Sequence, residues 1–410
     1  MAKQRITIYE KHRVLNKQLT AIDLFSGAGG FSLAAIKSDL KVLAAIELDE
    51  CASKTYRKNI IKRNMPVKLI NKDINEVDIP KLMKELKLKS KELDILIGGP
   101  PCQGFSSHRI LNRGVNDPRN QLLIKYFDFV KELKPKAFLV ENVPGLLWKK
   151  HEEYLARFLK LAKKNGYKVV GGKPVVINAR DYGVPQNRRR AFILAYREDI
   201  CVAHDAEWPP KPTHFSPSEQ KARSWRSASE VFEEPPKSVI NKLIKRYMSV
   251  NGWSRSEAAQ FVSKIKFGSP VKNSDPCNIH MVHTDSVAKR FSETPLNGSR
   301  EDIAFKLKCH EDYKGHKDVY GRVIFHLPSN TITTGCNNPS KGRFVHPWLN
   351  HGFTLRHAAR LQTFPDKFVF LGNTTEQARQ IGNAVPVALG TELIKAVSKM
   401  FVVKKKAKAA

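Results

Sequence analysis

Apolar positions along the chain fall into two regimes. Between residues 18 and 196, short apolar runs alternate with segments of helical period. The runs are AIDLF (21–25), VLAAIE (42–47), VKLI (67–70), DILIGG (94–99) and AFLVEN (137–142), each ending in loop-forming residues. Between them lie FSLAAIK, ECASKTYRKNI, IPKLMKELK, RNQLLIKYFDFVKEL and HEEYLARFLKLAKKN, whose apolar spacing is that of amphipathic helices. This alternation predicts an α/β fold with a parallel, doubly wound sheet. Such sheets bind ligands beyond the carboxyl ends of their strands, so the residues that close each apolar run are the first candidates for a site.

From 198 to 350 the periodicity fades. Pro-rich pieces (WPPKPTHFSP, EEPPKS), aromatics, His, Lys and Arg dominate, which predicts an irregular second domain. Helical patterning returns in LRHAARLQTFPDKFVF and QIGNAVPVALGTELIKAVSKMF, and residues 402–410 read as a basic tail. There are no internal repeats. No run of about 18 apolar residues suggests a transmembrane helix, and MAKQRITIYEKHR lacks the apolar centre of a secretory signal. A cytoplasmic protein is expected.

Charge narrows the class. Lys and Arg total 71 against 39 Asp and Glu, a net charge of +32, which favours a polyanionic partner such as nucleic acid. The six cysteines show no regular spacing and should be reduced thiols inside a cell.

Three stretches carry chemistry. In AIDLFSGAGGFSLAA a strand meets a glycine turn and a helix, and Glu47 closes the next strand, where an acid can accept hydrogen bonds from ribose hydroxyls. Gly27 and Gly29 are followed by Ser32, so the third glycine of a dinucleotide fingerprint is missing, and no Gly-Lys-Ser/Thr phosphate loop follows. An adenosine cofactor without phosphate, S-adenosylmethionine, suits this turn; a plain tight turn is the alternative. In GGPPCQGFS, Pro100 and Pro101 stiffen the approach to Cys102, as a nucleophile requires. In FLVENVPGL, Glu141 ends an apolar strand; a carboxyl in a partly apolar cleft is raised in pKa and can donate a proton. In QNRRRAFILA, Arg188 and Arg190 fall on one strand face and can hold Glu141 and bond a carbonyl or phosphate.

Taken together, DLFSGAGGF, IELDE, NKDINEV, GGPPCQGFS, ENVPGLL, QNRRRAF, AARLQTFPD and QIGNAVPVALG resemble, in order, the motifs of DNA (cytosine-5) methyltransferases of bacterial restriction–modification systems, over about 20–196 and 354–398. The resemblance implies a Rossmann-like S-adenosylmethionine-dependent sheet. Its catalytic domain would be split into 18–197 and 351–401, with a target-recognition domain at 198–350. The last long helix, about 383–401, would pack back on the sheet beside the first strand. It also implies roles. Cys102 would be the nucleophile, Glu141 would contact N3 and the amino group of cytosine, and Arg190 would contact the base carbonyl with Arg188 nearby. Phe25, Ser26, Gly27, Gly29, Gly30, Glu47, Leu48, Asp73, Ile74, Pro101, Leu122, Asn383 and Ala384 would form the cofactor pocket. Gln103, Ser106 and Thr333 would lie near the flipped nucleotide, and SSHRILNRGVNDPRN would close over it. The partners implied are duplex DNA and a cognate restriction endonuclease, for a monomeric enzyme.

An RNA-modifying enzyme on the same scaffold is the nearest alternative, but PPCQGFS and the long region after QNRRR favour DNA. A pyridine-dinucleotide oxidoreductase lacks its third glycine, and a plain DNA-binding module leaves Cys102 unexplained. His357 stands where many relatives carry an acid, in a segment expected to pack two domains together. Cys277, His280, His283, Cys309, His310 and His316 contain zinc-ligand types in a non-standard spacing, and no bound metal is expected.

Overall fold

The apolar runs become strands and the periodic segments become helices. In chain order these are β1 (Thr20–Leu24), α1 (Gly30–Lys37), β2 (Lys41–Glu47), α2 (Glu50–Asn59), β3 (Lys68–Asn71), α3 (Ile79–Glu85), β4 (Ile95–Gly98), α4 (Gln121–Leu133) and β5 (Ala137–Asn142). Then follow α5 (Glu152–Lys164), β6 (Tyr167–Val169), β7 (Val175–Asn178) and β8 (Arg189–Arg197). This computed structural model describes residues 18–63, 66–101, 121–203, 206–219, 221–303 and 318–401. Cys102, Gln103, Ser106, the stretch expected to close over the nucleotide, Cys309, His310, His316 and the basic tail lie outside the described residues. Local signals set the helix starts. Asp49 accepts a hydrogen bond from Ala52 N at 2.8 Å, and Asp78 caps α3 ahead of Pro80.

The strands form one sheet in the order β3-β2-β1-β4-β5-β8-β6, with β7 also pairing to β8. Pairings from β3 through β5 are parallel, as expected. Beyond β5 the expectation of a parallel sheet fails, because β8 runs antiparallel to β5, β6 and β7. The link from β7 to β8, residues 179–188, holds only the short turn Ala179–Tyr182, and a parallel return needs a longer crossover.

Alternation along the strands serves two cores. Ala21, Ile95, Ile97 and Leu139 face one side with residues of α1 and α2, while Ile22, Leu96, Phe138 and Val140 face the other with α3, α4 and α5. Two later helices complete the first side: α9 (Leu355–Leu361) and α11 (Val387–Met400), which buries Leu389, Leu393, Ile394 and Val397. The final helix therefore starts at Val387 rather than 383. It follows Pro386 and a separate helix, α10 (Thr374–Asn383). Side chains of α2 stitch the returning segment in place: Asn59 Nδ2 donates to Val369 O at 2.8 Å, and Thr55 Oγ1 accepts from Leu371 N at 2.9 Å.

Between β8 and the return lie α6 (Lys237–Asn251), α7 (Arg255–Ser263) and α8 (Asp285–Glu293), followed by α9 (Leu355–Leu361). Leu243, Tyr247, Ala258, Val262 and Phe325 form a small satellite core. Elsewhere buried arginines organise the loops. Arg322 donates to the carbonyls of Phe291, Thr294, His346 and Leu349, and Arg356 grips Asp275 at 2.5 and 3.0 Å.

His357 makes a further tie. Its Nε2 and that of buried His346 lie 3.4 and 3.6 Å from the Glu233 carboxylate, and the His357 ring stacks on Phe232. The two imidazoles hold Glu233 below the ordinary carboxylate range. Burial pushes His346 down to about 3 and His326 down to about 4. A histidine neutral when folded but protonated when unfolded contributes stability that is complete above about pH 6.5 and is lost as pH falls towards the folded pKa, about 2 kcal/mol by pH 5. Urea denaturation at pH 7 and pH 5 should therefore show a smaller loss of stability in His346→Gln than in the unsubstituted protein, by about 2 kcal/mol. Equal losses would mean that His346 is protonated in the fold.

Candidate functional site

Four strand ends open on one cleft of about 1410 Å³. β1 and β4 pair side by side, while the chain from β1 runs outward to β2 and from β4 to β5, so the cleft lies at the switch point of the sheet. β1 delivers Phe25, β2 Glu47, β4 Pro100 and Pro101, and β5 Glu141 and Asn142. The fifth contribution comes from far along the sequence: segments 331–335 and 382–385 line the same cleft.

At the β1 end the backbone is unusual. Phe25 has φ +57°, a rare conformation for a non-glycine residue. It is followed by Gly27, whose N–H donates to Glu47 Oε2 at 2.7 Å. Glu47 Oε1 accepts from Asp49 N at 2.8 Å. Burial raises the Glu47 pKa against these hydrogen bonds. Each Glu47 oxygen keeps a lone pair for a hydroxyl donor. Beside it Leu48 is 64% exposed, and Asp73, Ile74 and Leu122 continue the wall. Ser26 Oγ is buried without a hydrogen-bond partner. An apolar platform, a carboxyl with free acceptor capacity and an orphaned hydroxyl fit the adenosine half of S-adenosylmethionine.

Gly29 differs from the expectation and does not line the cleft. With φ +99°, it turns the chain into α1, and a Cβ there would lie 2.5 Å from Ile60 Cδ1. Its glycine identity serves packing against α2. Gly30 does reach the cleft, against Ala384 and Val385.

At the β5 end Glu141 is nearly buried. Its Oε1 lies 3.0 Å from Arg190 Nε, and Arg190 Nη1 also donates to Arg189 O at 2.8 Å. The neighbouring Asn142 donates to Pro100 O at 3.5 Å, drawing the proline lead towards the carboxyl. Arg188 lies nearby, as expected, and lines the same cleft, but its hydrogen bonds go elsewhere. It is 1% exposed, and its Nη groups donate to Ile332 O at 3.0 Å, Gly382 O at 3.0 Å and Ala384 O at 3.1 Å. These bonds leave no Nη group directed at Glu141. The reason is position: Arg188 precedes β8, so the alternation that sets Arg190 towards Glu141 does not reach it.

Sequence reading missed Asp23 and Trp148. Asp23 lines the cleft, accepts from Ser32 Oγ at 2.6 Å and is raised to about 7 by burial. Trp148 lies on the cleft rim, 41% exposed, with Lys150 Nζ 5.2 Å from its ring centre. An available signal was LLWKK, an aromatic beside two lysines.

Of the candidate zinc ligands, Cys277, His280 and His283 lie among the described residues, and they form no group of three that could share an ion. Cys277 Sγ approaches Phe370 O, His280 stacks on His351, and His283 accepts from Gly352 N. Among the described residues the group close enough to share an ion is Glu233, His346 and His357. There Nδ1 of His346 accepts from Trp348 N and Leu349 N, and Nδ1 of His357 accepts from Thr354 N. The ring protons thus sit on Nε2, which lies 3.6 Å (His346) and 3.4 Å (His357) from the Glu233 carboxylate without a hydrogen bond between them. A metal ligand would need those Nε2 lone pairs free and an Nδ1–H facing an acceptor, whereas here Nδ1 accepts main-chain N–H groups and Nε2 faces the carboxylate in an electrostatic contact.

A Rossmann-like sheet with this cleft defines the fold of a methyltransferase that uses S-adenosylmethionine. Comparison with known proteins agrees. The profile of the family described as C-5 cytosine-specific DNA methylase matches residues 19–399. The chain is 30% identical to the Type II methyltransferase M.DdeI of Desulfomicrobium norvegicum, over 93% of this chain and 89% of that one. It is 31% identical to the Type II methyltransferase M1.BsuMI of Bacillus subtilis, over 91% and 79%. Among solved structures, a DNA modification methyltransferase encoded within an Escherichia coli prophage superposes with a TM-score of 0.65 at 23% identity, covering 93% of this chain and 99% of that one. A Spodoptera frugiperda DNMT2 mutant gives 0.51 at 17%, covering 93% and 100%. The chain therefore belongs to the C-5 cytosine-specific DNA methylase family. It is a DNA (cytosine-5) methyltransferase with S-adenosylmethionine as its methyl donor. No helix among the described residues is long and apolar enough to cross a membrane.

Glu47→Gln keeps the volume but loses an acceptor oxygen. It is expected to raise the dissociation constant for S-adenosylmethionine by about 10- to 100-fold, read by calorimetry with the melting temperature as a control. A change below about twofold would remove Glu47 from the cofactor site.

Proposed function

We propose that the enzyme methylates cytosine within a specific duplex sequence through a covalent adduct on Cys102, as the host-protecting half of a restriction–modification system. The observation that carries this reading is the Glu141–Arg190 pair, 3.0 Å apart, in the same cleft as Glu47. Pro101 borders that cleft, and Cys102 follows it directly in the sequence.

Carbon 5 of cytosine is a weak nucleophile. In the proposed sequence the Cys102 thiolate donates an electron pair to form an S–C6 bond, and Glu141, held by Arg190, delivers a proton to N3. The ring becomes an enamine with electron density at carbon 5. Bound S-adenosylmethionine supplies a methyl group on a positive sulfur that leaves as a neutral thioether. Carbon 5 forms its bond to that methyl group; loss of the carbon-5 proton to water then returns an electron pair to the ring, breaks the S–C6 bond and releases Cys102 as thiolate, and N3 gives its proton back to Glu141, leaving neutral 5-methylcytosine. The target base must leave the stacked duplex for this chemistry. Gln103, Ser106 and Thr333 are proposed to hold its flanking phosphates.

Residues 18–197 and 351–401 are proposed as the catalytic domain, 198–350 as the target-recognition domain and 402–410 as a basic tail. The names of the relatives, Type II methyltransferases, support a partner endonuclease that cuts the same site. A net charge of +32 supports duplex DNA as substrate. The proposed setting is the cytoplasm, as a monomer on the nucleoid. PPCQGFS and the long inserted region support DNA over tRNA.

Labelled S-adenosylmethionine and mixed-sequence duplex DNA test the reading. Label should appear on carbon 5 of cytosine with the unsubstituted protein and fall to background with Cys102→Ala. Glu141→Gln should lower kcat by about 10²- to 10⁴-fold. Transfer that survives in Cys102→Ala would exclude the covalent route, and transfer to tRNA alone would move the substrate to RNA.

A further inference from the structure

Between β5 and α5 two short turns hold one large apolar side chain at the surface. Leu146 is fully buried with residues of α4 and α5, and His151 is 1% exposed. Between these anchors Trp148 N donates to Gly145 O at 3.1 Å, and His151 N donates to Trp148 O at 2.8 Å. Trp148 itself is 41% exposed, the most exposed of the five tryptophans, and Leu147 beside it is 38% exposed. Single exposed apolar residues are ordinary on a protein surface. Here an indole and a leucine stand together on a backbone pinned at both ends, with the indole at the rim of the cleft.

The surroundings indicate the partner's chemistry. Trp148 lines the cleft that also holds Glu141 and Arg190, so a nucleotide whose base reaches Glu141 brings its flanking strand to this rim. Lys149 and Lys150 follow directly, both exposed and neither ion-paired with a described residue. Lys150 Nζ lies 5.2 Å from the indole ring centre, which keeps its charge beside the ring. The acids next in sequence, Glu152 and Glu153, sit in the first turn of α5, where they complement the helix N-terminus. An aromatic face beside free cations matches a nucleic-acid strand, which offers a base to the one and phosphates to the other. S-adenosylmethionine has no phosphate for two lysines to meet.

We infer that Trp148, Lys149 and Lys150 form a contact for the DNA strand that carries the target cytosine: the indole face packs on a nucleotide next to the target, and the two ammonium groups meet its phosphates. The inference rests on the proposed function, in which the target base reaches Glu141. Every base has a π-face, so an indole platform tolerates any sequence. The contact therefore adds affinity and holds the strand at the rim, while the choice of site is left to other residues. Trp148 binds substrate and takes no part in making or breaking bonds.

The probe is a duplex carrying a site that the unsubstituted protein methylates. Trp148→Ala is expected to raise the KM for duplex by about 5- to 100-fold. Its kcat should change by less than about threefold, because the lost contact is made equally in ground and transition states. Trp148→Phe keeps an aromatic face and should recover most of the loss. Replacing both lysines, Lys149→Gln with Lys150→Gln, should lower the slope of log Kd against log salt by about 1 to 2. Duplex should quench the intrinsic fluorescence of the unsubstituted protein more than that of Trp148→Phe. Calorimetry with S-adenosylhomocysteine should give the same affinity in every variant. A merely structural role would lower the melting temperature and leave the salt slope and the quench as they were. An unchanged KM in folded Trp148→Ala, or a loss confined to S-adenosylhomocysteine affinity, would overturn the inference. If Trp148→Ala does not fold, the lysine double variant decides, and an unchanged salt slope overturns it. When the unsubstituted protein methylates duplex DNA and the variants match it, the inference alone fails; transfer to tRNA alone would remove the proposed function and the inference with it.

Discussion

Taking a guanidinium out of water costs several kcal/mol unless oxygens replace its hydration, and at Arg188 those oxygens are carbonyls of Ile332, Gly382 and Ala384. Arg188 enters from the sheet, Ile332 from the end of the irregular region and Gly382–Ala384 from the turn between α10 and α11. Nε of Arg188 is already buried without a partner, so losing one of these carbonyls would leave more of a buried charge unsatisfied. The cleft's far wall is therefore as much a consequence of burying Arg188 as of packing apolar side chains. The same device recurs at Arg322 and Arg356, where carbonyls and Asp275 surround a buried guanidinium. Among the described residues of the inserted region, strand pairing is limited to isolated bridges, and these arginines supply the cross-links that a sheet would otherwise make.

Charge is divided between surface and cleft. The chain as a whole carries +32, suited to a phosphate backbone. The cleft is lined by both signs: Asp23, Glu47, Asp49, Asp73 and Glu141 beside Lys72, Arg188, Arg190, Lys341 and Arg379. Burial raises Asp23 to about 7 and also raises Glu47, so part of that acidity is stored in protonated or hydrogen-bonded form. Glu141 is countered by Arg190 at 3.0 Å. A polyanion is thus attracted to the protein broadly, while within the cleft the carboxyls Glu47 and Glu141 offer acceptors to hydroxyl and amino donors beside basic side chains such as Arg190 and Lys341. That contrast suits a single nucleotide removed from its duplex and a cofactor that carries no phosphate.

Much of the catalytic half was legible in the sequence because its signals are local. Short apolar runs and helical patterns gave β1–β5 and α1–α5 nearly to the residue, and the glycine turn, Glu47, Pro101 and Glu141 all close apolar runs. Of the final strands, β8 was read as a strand but not its direction, and β6 and β7 were not read. Whether β8 runs parallel or antiparallel depends on how short its connection is in space, and an apolar run reads the same in either direction. Gly29 could not be separated from Gly27, since both sit in one turn and only the neighbours differ: α2 for one, the cleft for the other.

By itself the sequence determined the element order, the cofactor turn, the carboxyl at the end of β5 and, through its ordered motifs, the family. These follow from short-range periodicity and from chemistry tied to particular residue types. Tertiary structure decided what depends on separations of more than a hundred residues. It turned Arg188 away from Glu141 towards carbonyls at 332, 382 and 384. It left Arg190 as the partner of Glu141, set Gly382 against Thr333, and gathered Glu233, His346 and His357 into one tie. Adjacent arginines carry no label for their partners. Burial and the nearest unpaired oxygen make that choice, and both exist only once the chain has closed on itself.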